Sequence, residues 1–161
     1  MPSHSFASPV GTVTVTADDH VLRSITISVS PPVSAAGSKA THPLLAEAER
    51  QLRAYFTSKS DSFDLPLAPA STRRGEELRA AIAAIAHGDT ASYGELANRH
   101  GSGSRAIGQA CRRNPFPIVV PCHRVIGAKG AIGHYSGGAG IATKARLLNH
   151  EAGKDGTRWA E

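Results

Sequence analysis

The chain has 161 residues, 18 Lys and Arg against 13 Asp and Glu for a formal charge of +5, and only two cysteines, Cys111 and Cys122. That length suits one fair-sized core or two small domains, and two cysteines exclude the disulfide framework of a small secreted protein and fit a reducing compartment. No basic start leads into an apolar stretch and no run approaches the roughly eighteen apolar residues of a membrane span, so the sequence reads as cytoplasmic, and its positive surplus admits a polyanionic partner without identifying one.

Residues 10 to 29 predict a hairpin: Val10, Val13 and Val15 in one strand, Val21, Ile25, Ile27 and Val29 in the next, with Ala17-Asp18-Asp19-His20 as the turn. Pro31 to Pro43, rich in Pro, Ser, Ala and Gly, reads as a loop. Leu44, Leu45, Ala48, Leu52, Tyr55 and Phe56 recur at helical spacing, and Phe63-Asp64-Leu65-Pro66-Leu67 is extended before a linker near 69–72. From Glu76 the pattern turns helical, with Leu78, Ile82 and Ile85 on one face and Gly88 as the stop. Tyr93–Arg99 and Arg105–Arg113 predict two short helices around His100-Gly101-Ser102-Gly103-Ser104, a helix-turn-helix length, with Ser104 able to cap the second. In that second helix Ala106, Gly108 and Ala110 are small and Arg105, Arg112 and Arg113 flank them. Small residues permit close approach and arginines meet phosphates, although the same pattern suits a tight helix–helix contact with solvated arginines.

Ile118-Val119-Val120, after Pro115 and Pro117, predicts a buried strand that delivers Pro121-Cys122-His123-Arg124. Sulfur attacks as the thiolate, a free thiol near pKa ~8.5 is mostly protonated at neutral pH, and adjacent cations shift that balance. Cys122 is therefore the candidate nucleophile, with an inert buried cysteine as the alternative that the polar His123-Arg124 pair disfavours. The glycines between Gly127 and Gly140 lack a phosphate-loop fingerprint and read as a pliant wall around a substrate pocket. Lys144–Glu151 predicts a last helix with Leu147 and Leu148 inward, followed by a polar tail over 154–161.

The stretch Ser92-Tyr93-Gly94-Glu95-Leu96-Ala97, then Arg105-Ala106-Ile107-Gly108, Asn114-Pro115, Ile118 through Ile126, Tyr135-Ser136-Gly137-Gly138, Lys144 and Leu147-Leu148-Asn149-His150-Glu151 closely resembles the O(6)-alkylguanine-DNA alkyltransferases. Pro9-Val10-Gly11, Gln51 to Phe56 and Phe63 to Leu67 extend a weaker match into the first half. The resemblance implies an α+β protein: a small antiparallel sheet with a helix over 1–71, then a winged helix-turn-helix-like, mainly helical domain over 72–153 that binds the minor groove of double-stranded DNA containing alkylated guanine. It implies one irreversible transfer of the alkyl group to Cys122, without cofactor, by a monomer able to bind DNA cooperatively.

By the same resemblance His123 draws the thiol proton through a bridging water, Glu151 orients the imidazole and favours its charged form, and Asn114 fixes this network. Tyr93 rotates the phosphate of the flipped nucleotide and donates to the leaving purine, and Arg105 fills the gap in the base stack. Ala106, Gly108, Ala110, Arg112, Arg113 and Arg124 complete the DNA-binding set. Val125, Tyr135, Ser136, Gly137 and Lys144 form the substrate pocket.

Three departures stand out. Arg74 and Arg79 occupy positions where the family usually has aromatics, which must alter packing between the halves, and both are expected to reach solvent or carboxylates. The turn between the DNA-binding helices is about two residues shorter than usual, and there are about two extra residues between Gly138 and Lys144. Some relatives bind zinc in the first half, but here no cysteine precedes Cys111 and His4, His20 and His42 make no convincing site, so no metal is expected. Two other functions fit parts of the pattern: an alkyltransferase-like protein that binds damaged DNA without efficient transfer, and a Cys-His hydrolase, which lacks an oxyanion-hole motif.

Overall fold

Three strands, one more than the hairpin expected, build the first sheet of the computed structural model, which describes residues 1–30, 40–153 and Trp159. β1 (Ser3–Ser8), β2 (Gly11–Ala17) and β3 (Leu22–Ser28) form an antiparallel meander in that order. The extra strand is inconspicuous because its inward positions are His4 and Phe6, and a histidine does not read as a core residue. His4 is buried here because Glu49 takes its ring nitrogen at 2.7 Å. Asp18 closes the expected turn, its carboxylate accepting from the backbone N–H of His20 and Val21.

The helix α1 (Pro43–Phe56) opens with Pro43 in its first turn and His42 as cap, whose Nδ1 accepts from the Leu44 N–H. Leu45, Ala48, Leu52 and Tyr55, three or four residues apart, turn one stripe onto the sheet beside Val13 and Val15, and each large apolar side chain so buried stabilises by about 1.5–3 kcal/mol. These elements form one compact unit, Met1–Ala68; the second is Pro69–Glu161. Most of the loop expected over 31–43, and the tail apart from Trp159, fall outside the described residues.

In the second unit α2 (Arg73–Ala83) starts three residues earlier than its apolar pattern, because Thr72 caps it by accepting from the Gly75 N–H. It ends before Gly88, which occupies a later turn at φ +87°. The short strand β4 (Ala91–Ser92) leads into α3 (Tyr93–Arg99), whose first turn is fixed reciprocally: Ser92 Oγ accepts from Glu95 N–H and Glu95 accepts from Ser92 N–H. A tight turn through Gly101, at φ +60°, delivers α4 (Ser104–Arg112). Ser104 is the first residue of this helix and not its cap; Gly103 holds that position without a side-chain bond.

The buried strand expected at 118–120 does not form. Pro115 and Pro117 have no N–H to offer a ladder, and Ile118 sits at φ +76°, which turns the chain sharply. Cys122–Arg124 form a single 3-10 turn, after which β5 (Val125–Ile126) pairs in parallel with β4, Ala91 opposite Val125 and Ser92 opposite Ile126. The last helix, α5 (Ile141–Ala152), buries Lys144, Leu147, Leu148 and Glu151 and ends at Gly153. The architecture is α+β, as expected.

Candidate active site

The parallel β4–β5 pair sets the geometry, because Tyr93 follows β4 directly and the Cys122 turn precedes β5 directly. The turn is braced from within. Asn114 donates from Nδ2 to the Val120 carbonyl at 2.8 Å and accepts the Phe116 N–H at 2.9 Å, and Cys122 N–H donates to the Val120 carbonyl. On a regular strand neighbouring side chains point to opposite faces, whereas a 3-10 turn advances by about a third of a revolution per residue. The thiol, the imidazole and the guanidinium therefore fan out from one bend.

Behind the thiol lies a buried ionic cluster. His123 Nε2 donates to Glu151 at 2.7 Å; Arg124 donates to both carboxylate oxygens of Glu151, at 2.8 and 2.9 Å, and from Nη1 to the Ile85 carbonyl at 2.7 Å. Burial alone would raise the Glu151 carboxyl, but the hydrogen bonds and charges of His123 and Arg124 outweigh it and hold it far below the ordinary carboxylate range. Burial is the leading influence on His123, and it lowers the imidazole despite Glu151. The resting pair is thus a neutral ring with its Nε2 proton on a carboxylate, leaving Nδ1 as a buried atom without a hydrogen-bond partner.

Two expectations need correction here. Arg124 is buried at 5% exposure and committed to Glu151 and Ile85, so it faces the interior and not DNA. Cys122 is not a ready thiolate: burial raises its pKa, while the Asn114 hydrogen bond and the Lys144 charge pull the other way without cancelling it. The neighbouring guanidinium cannot help, because Glu151 already absorbs its charge.

Cys122 opens into a cavity of about 210 Å³ lined by Tyr93, Gly108, Cys111, Arg112, His134, Tyr135 and Ser136. Of the expected pocket residues, Tyr135 and Ser136 line it, but Val125, Gly137 and Lys144 stand behind the wall. Lys144 is fully buried and donates to the Val125 carbonyl at 2.7 Å and the His134 carbonyl at 3.1 Å; burial brings its pKa to about 8, against the pull of the two cysteines. Gly133 is required beside it: at φ +79°, a Cβ there would meet Lys144 Nζ and the Tyr93 ring, each at 3.3 Å. Burial and the nearby thiols keep the Tyr93 phenol protonated, hence a donor. Tyr135 is buried with its hydroxyl unpartnered. Sequence reasoning missed Cys111, whose thiol burial pushes up to about 12, and His134; neither belongs to a pattern, and only the fold brings them to the wall.

A second cavity adjoins the first, sharing Tyr93, Gly108 and Arg112 with it and adding Ser104, Arg105 and Gln109 from α4. Arg105, Arg112 and Arg113 are exposed and have no carboxylate partner among the described residues, whereas Arg23, Arg50, Arg53, Arg73, Arg74, Arg79 and Arg99 all do. Ala106 and Ala110 face the other way, toward α2. Arg74 and Arg79 reach Glu77 and Glu76, as expected of cations in aromatic positions. Among the described residues no cluster of His, Cys, Asp and Glu gathers to hold a metal, and no helix is long and apolar enough to cross a membrane.

The fold and site define a protein in which a buried cysteine, next in the chain to a His-Glu pair, opens into a cavity beside an arginine-bearing helix of a helix-turn-helix unit. Residues 75–153 match the family model for the 6-O-methylguanine DNA methyltransferase DNA-binding domain, and residues 1–69 that for the ribonuclease-like domain of the same methyltransferase. The chain is 38% identical to a methylated-DNA-protein-cysteine methyltransferase of Methanosarcina acetivorans, over 84% of this chain and 90% of that protein, and 36% identical to one of Mycobacterium leprae, over 91% and 90%. Its fold resembles the crystal structure of Mycobacterium tuberculosis OGT in complex with DNA at a TM-score of 0.78, with 34% identity over 93% of this chain and 92% of that one. The chain belongs to the 6-O-methylguanine DNA methyltransferase family, and its activity is DNA repair by alkyl transfer to a cysteine of the protein itself.

Proposed function

We propose that Cys122 is the acceptor and that it takes the alkyl group from O(6)-alkylguanine turned out of duplex DNA into the 210 Å³ cavity. The observation that carries this reading is the position of the thiol: it lies in a cavity that adjoins the α4 groove, and the next residue in the chain is a neutral imidazole held by a carboxylate. The thiol proton passes to His123 Nδ1, directly or through one water, as sulfur bonds to the alkyl carbon. The carbon–O(6) bond breaks, and its electron pair leaves with guanine. Glu151 then faces an imidazolium, which it stabilises, so the base acquires its charge only as the reaction needs it. Tyr93 donates a hydrogen bond from its phenol to the purine as negative charge develops there, and the leaving guanine takes its final proton from solvent while the imidazolium returns its own. The thioether formed has no route back to a thiol, so each molecule acts once.

The flipped base is read by backbone groups near Val125 and Tyr135-Ser136, with Gly137 admitting the Tyr135 ring and Lys144 pinning two carbonyls. α4 enters the minor groove as a monomer. Arg105 fills the vacated place in the stack, recovering part of the few kcal/mol that flipping costs, Gly108 allows close approach, and Arg112 and Arg113 meet phosphates. The cytoplasm suits two cysteines that are both free thiols.

Incubation with a duplex carrying O(6)-methylguanine should add one methyl group to the peptide containing Cys122, read by mass spectrometry. Cys122→Ala should bind the same duplex and accept nothing. Methylation of Cys111 in place of Cys122, or repeated turnover, would overturn the assignment.

A further inference from the structure

The flank of α4 turned away from the acceptor cavity borders an open cavity of about 460 Å³ against α2. Its apolar floor includes Leu78, Ala106 and Ala110, and three guanidinium groups stand around it, those of Arg74, Arg79 and Arg113. Arg79 belongs to the floor, stacked 5.4 Å over the Phe116 ring and 3.4 Å from Glu76. Arg74 is set at the rim: one nitrogen donates to Glu77 at 2.9 Å, another to the His100 carbonyl at 2.8 Å, and 45% of its side chain faces solvent. Arg113 is exposed and has no partner among the described residues. On a helix, residues 106, 110 and 113 form one stripe and 105, 109 and 112 the next, about one residue's rotation away. Arg113 therefore continues the arginine row of the α4 groove around the helix toward Arg74.

Resting on the reading that α4 lies against duplex DNA, we propose that the rim formed by Arg74 and Arg113 is a second anchoring point, which takes a backbone phosphate on the side of the duplex away from the acceptor cavity. Charge complementarity selects the occupant: two solvent-facing guanidinium groups, one of them fixed in place by its other bonds, present donors suited to phosphate oxygens.

The test is binding of undamaged duplex across a salt series. Arg74→Ala alone should already weaken binding at ~0.1 M salt, and Arg74→Ala/Arg113→Ala should lower the slope of log K against log salt by about 1 and weaken binding about five- to tenfold; an Arg74→Ala variant that binds like the wild type overturns the proposal. Arg74→Lys/Arg113→Lys should keep the wild-type slope. An alanine pair with wild-type slope and affinity overturns the proposal, as does a lysine pair as weak as the alanine pair. Transfer from a free O(6)-alkylguanine base to Cys122, which needs no duplex, is measured on the wild-type protein in parallel; its failure counts against the acceptor reading and not against the rim.

Discussion

Glu151 is the residue on which the chemistry and the stability of the site converge. It accepts from His123 and twice from Arg124, so replacing it with Gln removes the charge that meets the imidazolium and strands a buried guanidinium. Glu151→Gln should slow single-turnover transfer about 10²-fold, within the range for a disabled general base, and lower stability by about 3 kcal/mol or more in urea unfolding. The pH profile carries a sign. His123 titrates below its ordinary 6.5, so the competent neutral ring persists at pH 6.5 and transfer should fall only as the medium becomes more acidic than that. A rate already falling above pH 7 would contradict a neutral resting imidazole. The sequence pattern singled out Cys122, His123, Glu151, Asn114 and Tyr93, and the fold joins His123 to Glu151, sets Asn114 on the turn before Cys122 and lines one cavity with Tyr93 and Cys122. The direction of Arg124 was not legible: a chain of letters shows that a cation neighbours a thiol, but not that a carboxylate 27 positions later claims it.

Among the elements expected from the sequence, the segment leading to the Cys122 turn departs most from its reading, whereas α4 is offset by a single residue. Three consecutive β-branched residues favour a strand by propensity, yet two prolines and the positive φ of Ile118 bend the segment instead. This yields a comparison between two truncations. Ile118→Ala and Ile118→Gly both lose the same packing, but glycine tolerates the left-handed backbone, so the Gly variant should be the more stable of the two by about 1 kcal/mol, the reverse of the usual order. Equilibrium denaturation checks it. For α4, a Cβ at Gly108 would meet nothing within 4 Å, so Gly108→Ala should stabilise the fold by about 0.5–1 kcal/mol through helix propensity while weakening duplex binding. Equal or stronger binding would show that close approach at this position is not needed.

At the level of the whole chain, the unit from Met1 to Ala68 holds two of its three histidines in structural roles, His4 on Glu49 and His42 at the start of α1. The second unit holds the buried His123 and Glu151, whose shifted titrations should dominate the response to acid. Unfolded His123 takes up a proton near 6.5 and the folded ring does so only at lower pH, so stability from this group is complete above pH 6.5 and is lost as pH falls through that window. Glu151 adds stability that is present above about 4.5 and disappears as pH drops toward its depressed value. Thermal melts between pH 7 and pH 5 should show a declining Tm that His123→Gln flattens, and a slope unchanged in that variant would assign the effect elsewhere.

The Arg124 knot joins three distant stretches of chain: the end of α2 through Ile85, the acceptor bend, and α5 through Glu151. On the proposal that His123 draws the thiol proton, such a tie leaves little room for a loosened form in which the sulfur is exposed but still armed, because slackening any one strand of the knot also displaces that base. Stray electrophiles meeting a partly opened molecule would find an ordinary, sluggish thiol. A protein that can spend its nucleophile only once is thereby guarded against spending it on the wrong target.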